Sequence, residues 1–374
     1  ITETMEGDEA TLFMDIEDPK MWWPNGFGEH PLYTVSVYAL DMNGNEWDSK
    51  SYKIGLRTIT VSQERDEYGH EFCFRVNGVR IFAMGANYVP EDSIYSFVTK
   101  EKIEYLIRAA IKSNFNTIRV WGGGYYPSDT FYELCDKYGI IVWQDLMFAD
   151  NAYELNESFG RSITAEVEDN VKRIRHHACL GLLCGNSGIE KLWAEDAEFR
   201  QNADGLRADY TRIFDQAFKQ LISDLAPQTF YWPSSPSSGG NFDNPNDETR
   251  GDSHYWNIGR GGRNFDDIAE HTMRFASELG FQSFPSMKTV RTFTREEDRN
   301  IFSEVMEAHQ KNEDANARAI TYISKYFLFP KDMASLMYLT QILQAISVKR
   351  TVEHLRKNRG ICMGALYWQL NDCW

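Results

Sequence analysis

From about residue 79 onward, short apolar runs alternate with amphipathic helical patterns, and this alternation restricts the fold more than any other feature. Residues 79–86 read as a first strand. Residues 99–113 follow as a helix, with Ile103, Leu106, Ile107, Ala110 and Ile111 on one face and Thr99 as its N-cap. Strands are expected next over 117–121, 140–144 and 180–185, with helices over 128–138 and 162–177 between them. Gly139 is placed to stop the first of these helices. Further strands are expected over 230–232, 254–256, 273–278 and 364–368, with helices around 210–225 and through 294–351. Residues 233–246, rich in Pro, Ser, Gly and Asn, read as a long loop. Eight strands in alternation with helices predict an α/β chain built as a (β/α)8 TIM barrel.

The start of the chain has a different rhythm. Residues 32–39 alternate in the two-residue period of a strand, the turn Asn43-Gly44-Asn45 follows, and 47–54 reads as the returning strand. Further strands are expected over 57–61 and 71–76. About 70 residues of strand and turn fall short of an immunoglobulin-like domain, which takes about 100. The expected division is therefore a partial immunoglobulin-like β-sandwich over residues 1–75 and a barrel over 76–374.

Charge and cysteine usage narrow the partners. A formal charge of −16 disfavours nucleic acid and anionic membranes. No stretch of 18 apolar residues is present, so no transmembrane helix is expected, and the acidic N-terminus lacks a signal-peptide pattern. Six cysteines occur without a CxxC pair or zinc-ligand spacing, which reads as buried thiols in a reducing, cytoplasmic compartment without a bound metal. Aromatic residues reach 14%, a content that serves either sugar stacking or a large aromatic core. Nothing in the sequence indicates an oligomeric state.

In a (β/α)8 barrel, chemistry gathers where strands end at the C-terminal face. The predicted strand ends carry Trp121, Asp145, Asn186, His254, Tyr255, Trp256, Glu278 and Trp368. Glu278 stands out. A carboxylate at the end of an apolar strand must be paired, protonated or functional. It can be a structural ion pair with an arginine such as Arg119, or a nucleophile toward an anomeric carbon.

The runs WWPNGFGEHPLY (22–33), RVWGGGYYPSDTFYELCDKYGIIVWQDLMFA (119–149), GDSHYW (251–256), ASELGFQS (276–283) and LYWQLND (366–372) resemble the β-mannosidases of glycoside hydrolase family 2. The likeness covers nearly the whole chain, in order, with matched segments at the predicted strand ends. It implies a retaining double displacement on β-D-mannosides or short manno-oligosaccharides, with no required cofactor. By this resemblance Glu278 stands at the nucleophile position and Asn186 where the family contacts the sugar 2-hydroxyl. Trp121, Asp145, His254, Tyr255, Trp256 and Trp368 then fall at the pocket wall, Trp368 as a stacking platform.

One departure matters. The family pattern after the fourth strand is Gly-Asn-Asn-Glu, with its Glu as acid/base, whereas this chain reads Gly185-Asn186-Ser187-Gly188. The acid/base position is thus Gly188, which can donate no proton. Glu190, two residues along a starting helix, is turned roughly 200° away. The resemblance therefore implies an impaired hydrolase. A β-galactosidase or β-glucuronidase of the same family, or a non-catalytic carbohydrate-binding protein on the same barrel, remain alternatives.

Overall fold

The computed structural model describes residues 1–374 except 6, 8, 9, 313 and 374. Strands β1 (Tyr33–Leu40) and β2 (Glu46–Ile54) form an antiparallel ribbon. β3 (Ile59–Ser62), β6 (Cys73–Val76) and β7 (Val79–Ile81) form a three-stranded antiparallel sheet. Between β3 and β6, β4 (Arg65–Asp66) pairs with β5 (Gly69–His70).

The sandwich expected over 1–75 thus takes the form of small antiparallel sheets. The ribbon leaves Val37, Leu40 and Trp47 exposed instead of burying them under a second sheet. Residue 75 lies inside β6, whose partner β7 follows it. The apolar run over 79–86, expected as one strand, is two. β7 runs antiparallel to β6, and β8 (Ala83–Tyr88) then starts the main sheet.

That sheet continues with β9 (Thr117–Val120), β10 (Ile141–Asp145), β11 (Leu180–Cys184), β12 (Phe230–Trp232), β13 (Ser253–Tyr255), β14 (Ala276–Leu279) and β15 (Gly364–Tyr367). The eight strands are parallel and lie in the order β12-β11-β10-β9-β8-β15-β14-β13. This is the cyclic order of a (β/α)8 barrel, and the sheet curls accordingly. Its edges, β12 and β13, are joined through Asp252, which is fully buried. Asp252 accepts from Trp232 Nε1 at 2.8 Å, Ser235 Oγ at 2.6 Å and Ser237 N at 3.0 Å.

β3, β6 and β7 plug the end of the sheet where the strands begin. Phe72 packs there against Trp143, Trp232 and Phe275, with ring centroids 4.9–5.8 Å apart. A barrel closed by apolar rings at that end must open its polar groups at the other.

Helices cover the outside. α1 (Lys100–Lys112) starts as expected at Thr99, whose side chain accepts from Lys102 N. α2 (Asp129–Tyr138) ends at Gly139, whose φ of +71° is the left-handed conformation glycine supplies cheaply. α3 (Glu157–Ile174) begins five residues earlier than its apolar stripe predicts, because the Asn156 side chain caps it on Phe159 N. The helical region expected through 294–351 is broken into shorter pieces before the long helix Met333–Lys357. No helix among the described residues is long and apolar enough to cross a membrane.

Candidate active site

Arg119, on β9, organises the C-terminal mouth of the sheet. Its side chain is fully buried. Nη2 donates to Asp145 Oδ2 at 2.8 Å and to Ser187 Oγ at 3.0 Å. Nη1 donates to Glu278 Oε1 at 2.7 Å and to Asn87 Oδ1 at 2.9 Å. Burial alone would lower the pKa of Arg119, but the charges of Asp145 and Glu278 hold it above its ordinary value.

Glu278 is therefore gripped on one oxygen by Arg119 and on the other by Trp256 Nε1 at 3.1 Å. His254 Nδ1 lies 3.3 Å from the same Oε2. Burial, then the positive charges of Arg119, Lys191 and Arg260, push the His254 pKa well below normal, so the ring is neutral at pH 7. The clamp aims a carboxylate into a cavity of about 660 Å³. The ion pair with Arg119 that the sequence raised as one reading of Glu278 is present, and the carboxylate also lines the cavity.

Trp121, Trp256, Trp368, His254, Glu278 and Gly188 line this cavity. Trp121 and Trp368 meet edge to face, centroids 5.2 Å apart. Trp121 Nε1 donates to Ser187 Oγ at 3.1 Å, which fixes the indole plane. The structure thus brings together six of the nine positions singled out by sequence.

Three lie elsewhere. Asp145 is fully buried behind Arg119 and also accepts from Trp143 Nε1 and Gly122 N. Burial pushes its pKa up to about 6 against the pull of Arg119. It orients the clamp and does not reach the cavity wall. Tyr255 packs in the core, its hydroxyl donating to Asp267 Oδ2 at 2.9 Å. Asn186 is engaged on both ends. Its Nδ2 donates to Pro233 O and Tyr210 Oη, and its Oδ1 accepts from Ser234 Oγ. Successive side chains of an extended segment point to opposite faces. With Asn186 turned outward, Ser187 is the residue that lines the cavity.

Gly188 has φ of +80° and caps α4 (Ile189–Glu195). That conformation strains any other residue. A Cβ built on it would overlap Asp150 Oδ1. Glu190 points away from the cavity, as its helical offset predicts. It is fully buried, with Oε2 accepting from Ser237 Oγ at 2.7 Å and Oε1 lacking a hydrogen-bond partner among the described residues.

Burial, reinforced by the charge of Asp215, pushes the Glu190 pKa up to about 7 from an ordinary 4.5. The native state therefore holds this proton more tightly than the unfolded chain. The associated stability is fully present below pH 4.5 and is lost as pH rises to about 7. Glu190→Gln is expected to raise the urea midpoint over the parent at pH 8 and to change it much less at pH 5. Parallel midpoint-versus-pH curves for parent and variant would exclude an ionising Glu190.

Asp150, Ser187, Lys191 and Arg260 also line the cavity and were not singled out by sequence. A signal for Asp150 was present: it is an acidic residue in the loop after β10, one position beyond the matched run ending at Ala149. The six cysteines are free thiols. Asp136 clusters with His177 and Cys179, about 40 residues further along the chain, with side-chain ligand atoms within 4.8 Å. Asp136 already accepts from Cys179 N at 2.8 Å and contacts His177 Nδ1 at 2.6 Å, so the cluster is satisfied internally.

Fold and site together describe a parallel-barrel protein whose cleft centres on a held carboxylate among indole rings. Comparison with known proteins gives its relatives. A profile of the glycosyl hydrolases family 2 matches residues 2–57. The chain is 34% identical over 386 aligned residues to β-mannosidase B of Aspergillus oryzae, covering 99% of this chain and 45% of that protein. Among solved structures, the β-D-mannosidase of Dictyoglomus thermophilum superposes with a TM-score of 0.89 at 36% identity, over 96% of this chain and 44% of that one. An exo-chitosanase of Amycolatopsis orientalis shares the fold, with a TM-score of 0.72 at 16% identity, over 96% and 42% of the two chains. Along nearly its whole length the chain is similar to glycosyl hydrolases of this kind, and it spans about 45% of the length of the curated relatives it matches.

Proposed function

We propose that the chain carries the catalytic barrel of a retaining glycosidase acting on β-D-mannosides or short manno-oligosaccharides by double displacement, with Glu278 as nucleophile. The observation that carries this reading is the grip on Glu278. Arg119 and Trp256 each take one oxygen, and the carboxylate faces a cavity walled by Trp121 and Trp368. Two donors, one on each oxygen, fix the orientation of this carboxylate toward the cavity, as attack on an anomeric carbon requires. The relatives named β-mannosidase support mannosides over galactosides or glucuronides. Under this reading Trp368 is the stacking platform. Ser187, rather than Asn186, faces the ring hydroxyls. Position 188 lacks the family's acid/base.

The same reading divides the chain into a partial immunoglobulin-like unit over 1–75 and the catalytic barrel over 76–374. The small antiparallel sheets before β8 support the first part. Six free thiols support a reducing, cytoplasmic setting. The charge of −16 argues against nucleic acid as a partner.

The test is a panel of dinitrophenyl β-D-glycosides offered to the full protein that carries this chain. The manno sugar is expected to give the highest kcat/KM and to label Glu278 on mass spectrometry of the trapped intermediate. Binding of mannosides without hydrolysis or labelling would instead support a carbohydrate-binding protein, the reading that Gly188 favours.

A further inference from the structure

Position 188 is not simply vacant. The space that a side chain there would enter is held by Asp150 Oδ1, which reaches in from the loop after β10. The loop is pinned to that place. Asp150 N donates to Ser187 O at 3.0 Å, and Ala149 bridges Ser187 in parallel register. The Asp150 side chain is exposed to the cleft, lines the same cavity as Glu278, and has no hydrogen-bond partner among the described residues.

We propose that Asp150 is the general acid/base of this cleft, delivered from the third strand's loop in place of a glutamate at 188. This rests on the double-displacement reading above. The two features of Gly188 then have one cause. A left-handed glycine keeps the backbone clear of the Asp150 carboxyl, and any Cβ there would collide with it. The electrostatics agree. Desolvation by the enclosing walls, then the charge of Glu278, raise the Asp150 pKa above the carboxylate norm, while Arg260, Arg119 and Lys191 oppose the rise. An acid that must hold a proton needs this direction of shift.

In the first step Glu278 Oε2 or Oε1 bonds to the anomeric carbon. The bond from that carbon to the leaving oxygen breaks, its electron pair stays on the oxygen, and that oxygen takes the proton of Asp150. In the second step the Asp150 carboxylate takes a proton from water. The water oxygen bonds to the anomeric carbon as the Glu278 ester bond breaks. Both carboxyl groups return to their starting states.

The experiment compares the full protein with its Asp150→Ala and Asp150→Asn variants on phenyl and 2,4-dinitrophenyl β-D-mannosides, with and without azide. Folding of each variant is checked by circular dichroism. The expected result is a fall in kcat/KM of about 10²–10⁴-fold on the phenyl substrate. Dinitrophenolate leaves without a proton, so kcat/KM on that substrate should hold within a few fold. Azide needs no base, so it should speed turnover of the variants, yield β-mannosyl azide, and leave the parent rate unchanged. Equal losses on both substrates, or no azide effect in either variant, overturn the proposal while leaving Glu278 labelling, and with it the functional reading, intact. A parent that neither hydrolyses nor labels overturns both.

Discussion

Glu278→Ala is expected to abolish turnover of dinitrophenyl β-mannoside, with kcat falling on the order of 10⁶-fold, the scale on which loss of a covalent nucleophile acts. The leaving group of this substrate needs no acid, so the loss isolates the attacking step. The variant also frees Arg119 Nη1 and Trp256 Nε1, which now hold the carboxylate. A small anion can enter that space. Azide attacking from the side of Glu278 inverts the anomeric centre once, so its product is α-mannosyl azide. Azide acting opposite Glu278, after a covalent intermediate, gives the β product. The stereochemistry of the azide adduct therefore tells the nucleophile from the acid/base. A β adduct from Glu278→Ala, or a variant that keeps a hundredth of the parent rate, would remove Glu278 from the nucleophile's role.

Positions whose roles follow from local pattern were legible in the sequence. Of the stripe Ile103, Leu106, Ile107, Ala110 and Ile111, Ile103, Ile107 and Ala110 bury fully and Leu106 and Ile111 in part, and Gly139 stops α2. Glu278 was conspicuous because an acid at the end of an apolar strand has few explanations. Which face a residue takes at a strand end was harder. Asn186 and Ser187 are adjacent, and one step of the pleat decides which meets the cavity. Asp145 looks like a ligand-facing acid until its contacts with Arg119, Trp143 and Gly122 are known. The relation between Gly188 and Asp150 joins two loops 38 residues apart (188 − 150), and no periodicity encodes such a meeting. Long-range contacts of this kind arise from strand order, where β10 and β11 lie side by side.

The largest stability effect is expected at Arg119. The guanidinium is fully buried and faces two carboxylates, Asp145 at 2.8 Å and Glu278 at 2.7 Å. Arg119→Met keeps most of the side-chain volume but leaves both acids without their cation. Breaking one side of a buried ion pair costs about 3–5 kcal/mol, because the remaining charge stays desolvated. Asp145 carries most of this cost, being fully buried, while Glu278 retains Trp256 and the open cavity. The pH dependence has a definite sign. Asp145 already titrates near 6 in the folded protein, above an ordinary 3.8, because burial outweighs Arg119. Without Arg119 its folded pKa climbs further. Stability tied to its proton is then present in acid and lost as pH rises from about 4 through that higher value. The deficit of Arg119→Met, measured by urea unfolding, should therefore be larger at pH 8 than at pH 5. Asp145→Asn added to Arg119→Met removes the stranded charge and should recover a large part of the loss, so the two substitutions will not be additive. A deficit below about 1 kcal/mol at pH 8, the scale of an exposed ion pair, would mean that water reaches the clamp and that Arg119 does not hold Glu278 in a dry site.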